Sequence, residues 1–188
     1  KISKDYKYKI DRDIYGVPHV SGTTDQDAAF GFGFAQTEDD YENIEFVIKM
    51  ARGELSDLNI SFSSLVDLFN LVSGTGDIMT SLSAIEGVEI DYLVKFLNAE
   101  ETALSLKETV DQETLKYLKA YADGINYWAA LNSHKVDKSL FPVTEDDLLI
   151  GMVFRMPLFY GLDNYIDQLI NLMSDSDEQV VVQNELSN

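Results

Sequence analysis

The sequence predicts an α+β chain, mostly helical, with a small β element at its N-terminal end. Large and polar residues alternate through Tyr6-Lys7-Tyr8-Lys9-Ile10-Asp11-Arg12, the two-residue period of a half-buried strand. No proline occurs from Thr24 to Leu55, after a cap-like Thr24-Asp25-Gln26-Asp27, which suits a helix. Further on, Leu115, Leu118, Tyr121, Ala122, Ile125 and Trp128 recur at three-and-four spacing, the buried stripe of another helix.

The elements follow in order. Gly16-Val17-Pro18 interrupts the first strand before His19-Val20-Ser21, so two short strands around a turn are expected. Thr24 offers a hydroxyl cap, and Asp25 and Asp27 place acidic groups over the first-turn amides of one long helix reaching about residue 55. Its first turns, 28–36, are apolar almost all round and predict full burial, whereas the acidic stretch 38–45 must reach water or a paired cation. Residues 58–71 suggest a further helix and Gly74-Thr75-Gly76-Asp77 a turn. A helix is expected over 90–104, and Thr109-Val110-Asp111-Gln112 resembles a capping box that opens one running to about residue 131. Residues 135–142 read as a loop. Thr144-Glu145-Asp146-Asp147 then caps a last helix that Pro157 should end or kink after about residue 154. Ser174-Asp175-Ser176-Asp177-Glu178 is a polar break. With no internal repeat, residues 1–188 are expected to form one unit whose last part, from about 175, is a linker-like tail.

Composition restricts function. The 188 residues are 45% hydrophobic, which places the chain among folded globular proteins. Acidic residues outnumber basic ones 33 to 14, a formal charge of −19, which disfavours nucleic acid and anionic membrane surfaces as partners. No apolar run is long enough for membrane insertion, and the start Lys1-Ile2-Ser3-Lys4 lacks a signal-peptide core and a starting Met, so a processed or trimmed N-terminus is expected. Without cysteine there is no disulfide, thiolate zinc site or cysteine nucleophile. Only three arginines occur, Arg12, Arg52 and Arg155, and each stands where a planar fork of donors can matter more than charge alone.

Chemistry within the chain is sparse. A serine hydrolase of the histidine type needs a base, and only His19 and His134 exist, with no G-x-S-x-G elbow. His19 reads as structural and His134 as an exposed loop residue. Gly31-Phe32-Gly33 lacks the third glycine of a dinucleotide fingerprint and falls inside a helix. Such a glycine pair, costing about 2 kcal/mol relative to alanine, implies close packing against another backbone. Asp25 and Asp27 read as caps and Asp175, Asp177 and Glu178 as a solvated linker, since neither group has the pattern of a calcium loop.

A longer pattern decides more. Arg12-Asp13-Ile14-Tyr15-Gly16-Val17-Pro18-His19-Val20, followed by the run Thr24 to Asp39, resembles the α-subunit opening of the penicillin acylase family over nearly thirty ungapped positions. Ala51-Arg52-Gly53-Glu54-Leu55, Tyr121-Ala122-Asp123-Gly124-Ile125-Asn126 and Phe141-Pro142-Val143-Thr144-Glu145-Asp146-Asp147-Leu148 resemble later family segments, in the family's order. Asp40 stands where many members have arginine.

The resemblance implies an N-terminal nucleophile hydrolase, a heterodimer of four αββα layers, exported to the periplasm or secreted and cut by itself into an α chain like this one and a larger β chain. The β chain's N-terminal serine would be nucleophile and, through its own amine and a water, base, so no catalytic residue is expected in this chain. Its share is the mouth of an acyl pocket. There Arg155-Met156-Pro157-Leu158-Phe159-Tyr160 is the nearest equivalent of the family's M-x-x-R-F-like gate, in a different order. Met156 and Phe159 are the expected contacts with an apolar acyl chain, with Tyr160 beside them and Arg155 near the entrance; ordinary packing against the β chain is the alternative for each. No cofactor is required. Members that bind calcium take one ligand from a glutamate after the gate, and Tyr165 holds the best-aligned position here, leaving Asp163 or Asp167 as substitutes. The substrate would be a small amide: an N-acyl-homoserine lactone, a β-lactam or a lipopeptide side chain. The rival readings are a non-catalytic binding protein retaining this fold and a self-contained enzyme with another site.

Overall fold

In a computed structural model of the chain, the described residues are 5–57 and 87–160. Residues 5–57 and 87–154 belong to one compact unit, and the described residues 155–160 belong to a second. Expectations for residues 58–71, 74–77 and 161 onward, the linker-like tail among them, lie outside the described residues.

The chain opens with two antiparallel strands, β1 (Tyr8–Arg12) and β2 (Pro18–Gly22), paired with Ile10 opposite Val20 and Tyr8 opposite Gly22. The expected hairpin is present, shorter at the start of the first strand. Among the described residues six helices follow: α1 (Asp25–Asp39), α2 (Tyr41–Arg52), α3 (Gly87–Phe96), α4 (Ala99–Lys107), α5 (Gln112–Leu131) and α6 (Glu145–Phe159). Single 3-10 turns lie at Leu55–Asp57 and Lys138–Leu140.

Thr24 caps α1 as its sequence predicts. Its hydroxyl accepts from the Asp27 amide, and the Asp27 carboxylate accepts from the Thr24 amide at 3.0 Å and the Lys7 amide at 2.8 Å. One buried carboxylate thus joins helix and hairpin, and the hydrogen bond from Lys7, ahead of the burial that opposes it, holds its pKa below the ordinary value.

The centre of the unit is α1 laid directly on α5. A Cβ on Gly33 would lie 2.2 Å from the Tyr121 carbonyl oxygen, and one on Gly124 would lie 2.1 Å from the Phe30 carbonyl oxygen. The two helices therefore touch backbone to backbone, each supplying a glycine where the other's carbonyl comes closest, so Gly33 of the glycine pair makes the expected approach to another backbone. Gly31 serves the other side of α1, where Val20 and Tyr8 of the hairpin rest on it. Phe30 fills the space between: fully buried, it stacks on Tyr6 at 4.4 Å and meets Tyr8 and Tyr127. The predicted stripe of α5 points inward at Leu118, Ala122, Ile125 and Trp128, with Leu115 and Tyr121 partly covered.

Five expectations need correction. The long helix from Thr24 is two helices, because Asp40 leaves helical geometry (φ −153°, ψ 72°) and its carboxylate caps α2 through the Asn43 amide. A short acidic side chain competes here with the helix backbone for its own donors. Burial of 28–36 is incomplete: Phe32 is about half exposed and Gln36 is exposed. The helix expected over 90–104 divides at Asn98, whose left-handed φ of 50° breaks it into α3 and α4. Asp111, not Thr109, caps α5, accepting from the Thr114 amide, while the Thr109 hydroxyl donates to the Leu106 carbonyl. Pro157 does not end α6 near residue 154; it sits inside the helix, which continues to Phe159.

Candidate functional site

The expected pocket residues Arg155, Met156 and Phe159 lie at the C-terminal end of α6 and Tyr160 directly after it, and the start of that helix is fixed by side chains from three other elements. Thr144 and Asp147 form its cap: the Asp147 carboxylate accepts from the Thr144 amide at 2.7 Å and hydroxyl at 3.0 Å. Arg52, last residue of α2, reaches the same carboxylate with two nitrogens, Nε at 2.8 Å and a terminal nitrogen at 3.0 Å, and donates to the Pro142 carbonyl. Burial pushes the Asp147 carboxyl up, but the hydrogen bonds from Arg52 and Thr144 outweigh it and leave its pKa lowered. Hydrogen bonding to Asp147 raises the Arg52 guanidinium in turn, against the cost of burial. From α4, Lys107 donates to Glu145 and Asp146 in the first turn.

The loop leading into α6 is held from α5. Asn126 both donates from Nδ2 to the Val143 carbonyl (2.7 Å) and accepts at Oδ1 from the Val143 amide (2.8 Å), so one side chain satisfies both backbone groups of one residue. Phe141-Pro142 is a cis peptide. Between α5 and this loop is a cavity of about 520 Å³, with Ala122, Ala129, Val136, Phe141 and Val143 among its apolar walls and Lys138 among its polar lining. Two of the sequence islands, around 121–126 and 141–148, therefore meet at one place.

Those four residues are placed as follows. Arg155 and Met156 are on the last turns of α6, both exposed, Met156 by 50%. Tyr160 follows the helix, 81% exposed, its amide donating to the Pro157 carbonyl. The Phe159 backbone ends the helix; its side chain lies outside what is described. By contrast Phe154, one residue before the group, is 2% exposed and belongs to the core. The turn after Phe154 thus presents a guanidinium, a thioether and a phenol on an accessible surface.

Among the described residues neither histidine is built into a catalytic array: His134 is exposed, and exposed His19 lies 3.4 Å from Asp13. Among the described residues no group of three or more His, Asp or Glu side chains is arranged to hold a metal ion, and Asp163, Tyr165 and Asp167 lie outside them. No described helix is long and apolar enough to cross a membrane.

Sequence reasoning missed one buried charge cluster. Lys49 of α2 is 5% exposed, and its ammonium lies 2.8 Å from Asp137 and 3.9 Å from Glu45. Its hydrogen bond, with that of Ser139, holds Asp137 well below the usual carboxylate range, whereas burial raises Glu45. A lysine inside the apolar run Val47-Ile48-Lys49-Met50-Ala51 was the available signal.

The comparisons agree with this architecture. Residues 7–160 match the family model described as penicillin amidase. A thermostable penicillin G acylase from Alcaligenes faecalis shares the fold with a TM-score of 0.54 at 19% identity, the likeness covering 80% of this chain and 72% of that one. No curated protein gives a significant match. The family match spans most of the chain and the fold agrees with it: this protein belongs to the penicillin amidase family, whose chemistry is acylase-type hydrolysis of amide bonds.

Proposed function

We propose that the chain is the α subunit of a two-chain acylase that hydrolyses a linear, non-peptide amide. The observation that carries this reading is the family match over residues 7–160, which takes in every island of the resemblance. The nucleophile is the N-terminal serine of the companion β chain, its own amine acting through water as base, and donors on that chain stabilise the tetrahedral oxyanion. This chain shapes the acyl pocket. Met156, Phe159 and Tyr160 meet an apolar acyl group and Arg155 stands near the entrance; the accessible Met156 and Tyr160 support that reading. The substrate is an N-acyl-homoserine lactone, a β-lactam or a lipopeptide side chain, met in the periplasm or outside the cell.

The test is hydrolysis by the two-chain protein of a graded series of acyl-homoserine lactones and phenylacetyl amides. The proposal expects a rate that rises to an optimum with acyl length and then falls. No hydrolysis of any member would remove it.

A further inference from the structure

We infer that the tip of the β hairpin, Ile14-Tyr15-Gly16-Val17, is a preformed knob that docks into an apolar socket with a basic rim on the companion chain. The inference rests on the two-chain reading above and adds to it a contact surface and the chemistry of its partner.

Ile14 is 91% exposed, Tyr15 84%, and Val17 about half. Isolated exposed apolar residues need no explanation, but three within four positions form a patch. This patch is also held in one shape. The Asp13 carboxylate accepts from the Tyr15 amide at 2.9 Å and the Val17 amide at 3.0 Å. The Gly16 amide donates to the Asp13 carbonyl, the Asp13 amide donates to the Val17 carbonyl, and Gly16 turns the chain at φ 83°. Arg12 completes the brace: one terminal nitrogen donates to the Gly16 carbonyl, and the other lies 2.7 Å from Glu38 and 2.6 Å from Asp39 at the end of α1. The loop therefore presents its aromatic and aliphatic side chains to water with its backbone already ordered, which removes part of the entropy cost of binding.

Charge selects the occupant. The chain carries −19, so a second copy would be repelled. Around the tip, Arg12 pairs with both Glu38 and Asp39, and the Asp13 carboxylate meets loop amides and His19, a local excess of negative charge among the described residues. A socket that is apolar at its floor and carries lysine or arginine at its rim complements both features.

The experiment uses the purified two-chain protein carrying Ile14→Ser and Tyr15→Ser, alone and together, with Asp13 and Arg12 kept so that the brace survives. Chain separation is followed by size exclusion across a urea series at low and high salt. The expected result is dissociation eased about tenfold by Tyr15→Ser and, in the wild type, eased further by salt. Hydroxyl-radical footprinting of the wild-type assembly is independent of how the variants fold: Tyr15 should be protected relative to the urea-separated chains. A companion chain that holds the variants as tightly as the wild type, or a Tyr15 oxidised equally in both states, overturns the knob and leaves the proposed function standing. Absence of any companion chain overturns both.

Discussion

Arg52 and Asp147 form a two-nitrogen ion pair across 95 residues of sequence, with 2.8 and 3.0 Å contacts, and join the end of α2 to the start of α6. Asp147 is 6% exposed and also caps its own helix through Thr144, so the pair is both a tertiary link and a local one. Arg52→Met should cost about 3 kcal/mol, because it leaves a buried carboxylate with only its cap. Urea unfolding of the variant against the wild type measures this. A loss under about 0.5 kcal/mol, the scale of a surface pair, contradicts it.

The same pair sets an acid limit. The folded carboxyl of Asp147 titrates below its ordinary 3.8, so the stabilisation it brings is fully present above that value and is lost as pH falls through the folded pKa. Asp27, Asp111 and Asp137 shift in the same direction. Stability should therefore decline below about pH 4, and Arg52→Met should make that decline shallower. Glu45 has the opposite sign: burial raises its folded pKa above 4.5, so its charge opposes folding at neutral pH. Glu45→Gln should leave stability at pH 7 unchanged or higher, whereas Asp137→Asn should lower it; thermal melts from pH 3 to 7 separate the two.

Gly124→Ala should be costly although alanine is the better helix former. Its methyl would meet the Phe30 carbonyl oxygen at 2.1 Å, so α1 and α5 must move apart, costing about 1–3 kcal/mol or more. A lowered urea midpoint checks this, and a gain in stability, as helix propensity alone would give, contradicts it.

Asn126→Ala removes both side-chain partners of Val143 and should cost about 1–3 kcal/mol. The Val143 amide reports it directly, since hydrogen exchange there should accelerate more than the global stability loss alone explains.

The acyl-pocket assignment predicts a different pattern. Met156→Ala and Tyr160→Ala alter exposed side chains, so melting should hardly change while the preferred acyl length shifts. Equal loss across all acyl lengths would point to packing against the companion chain instead.

Much of this was legible because it is local. The Thr24 and Asp27 cap, the inward stripe of α5 and the reason for Gly33 all follow from spacings within one element. The breaks at Asp40 and Asn98 were not, since both residues also occur inside helices and only their side-chain bonding or left-handed backbone ends them here. The cavity, the Asn126 clamp and the Lys49 cluster depend on a loop returning to α5 and α2 from far along the chain, a relationship that no single segment contains.

The central claim is that this chain acts only with a companion, and intact-mass spectrometry of the native purified protein tests it most directly. The account predicts the 21.2 kDa chain in one-to-one association with a larger chain that begins with serine. A folded 21.2 kDa monomer without any partner contradicts it.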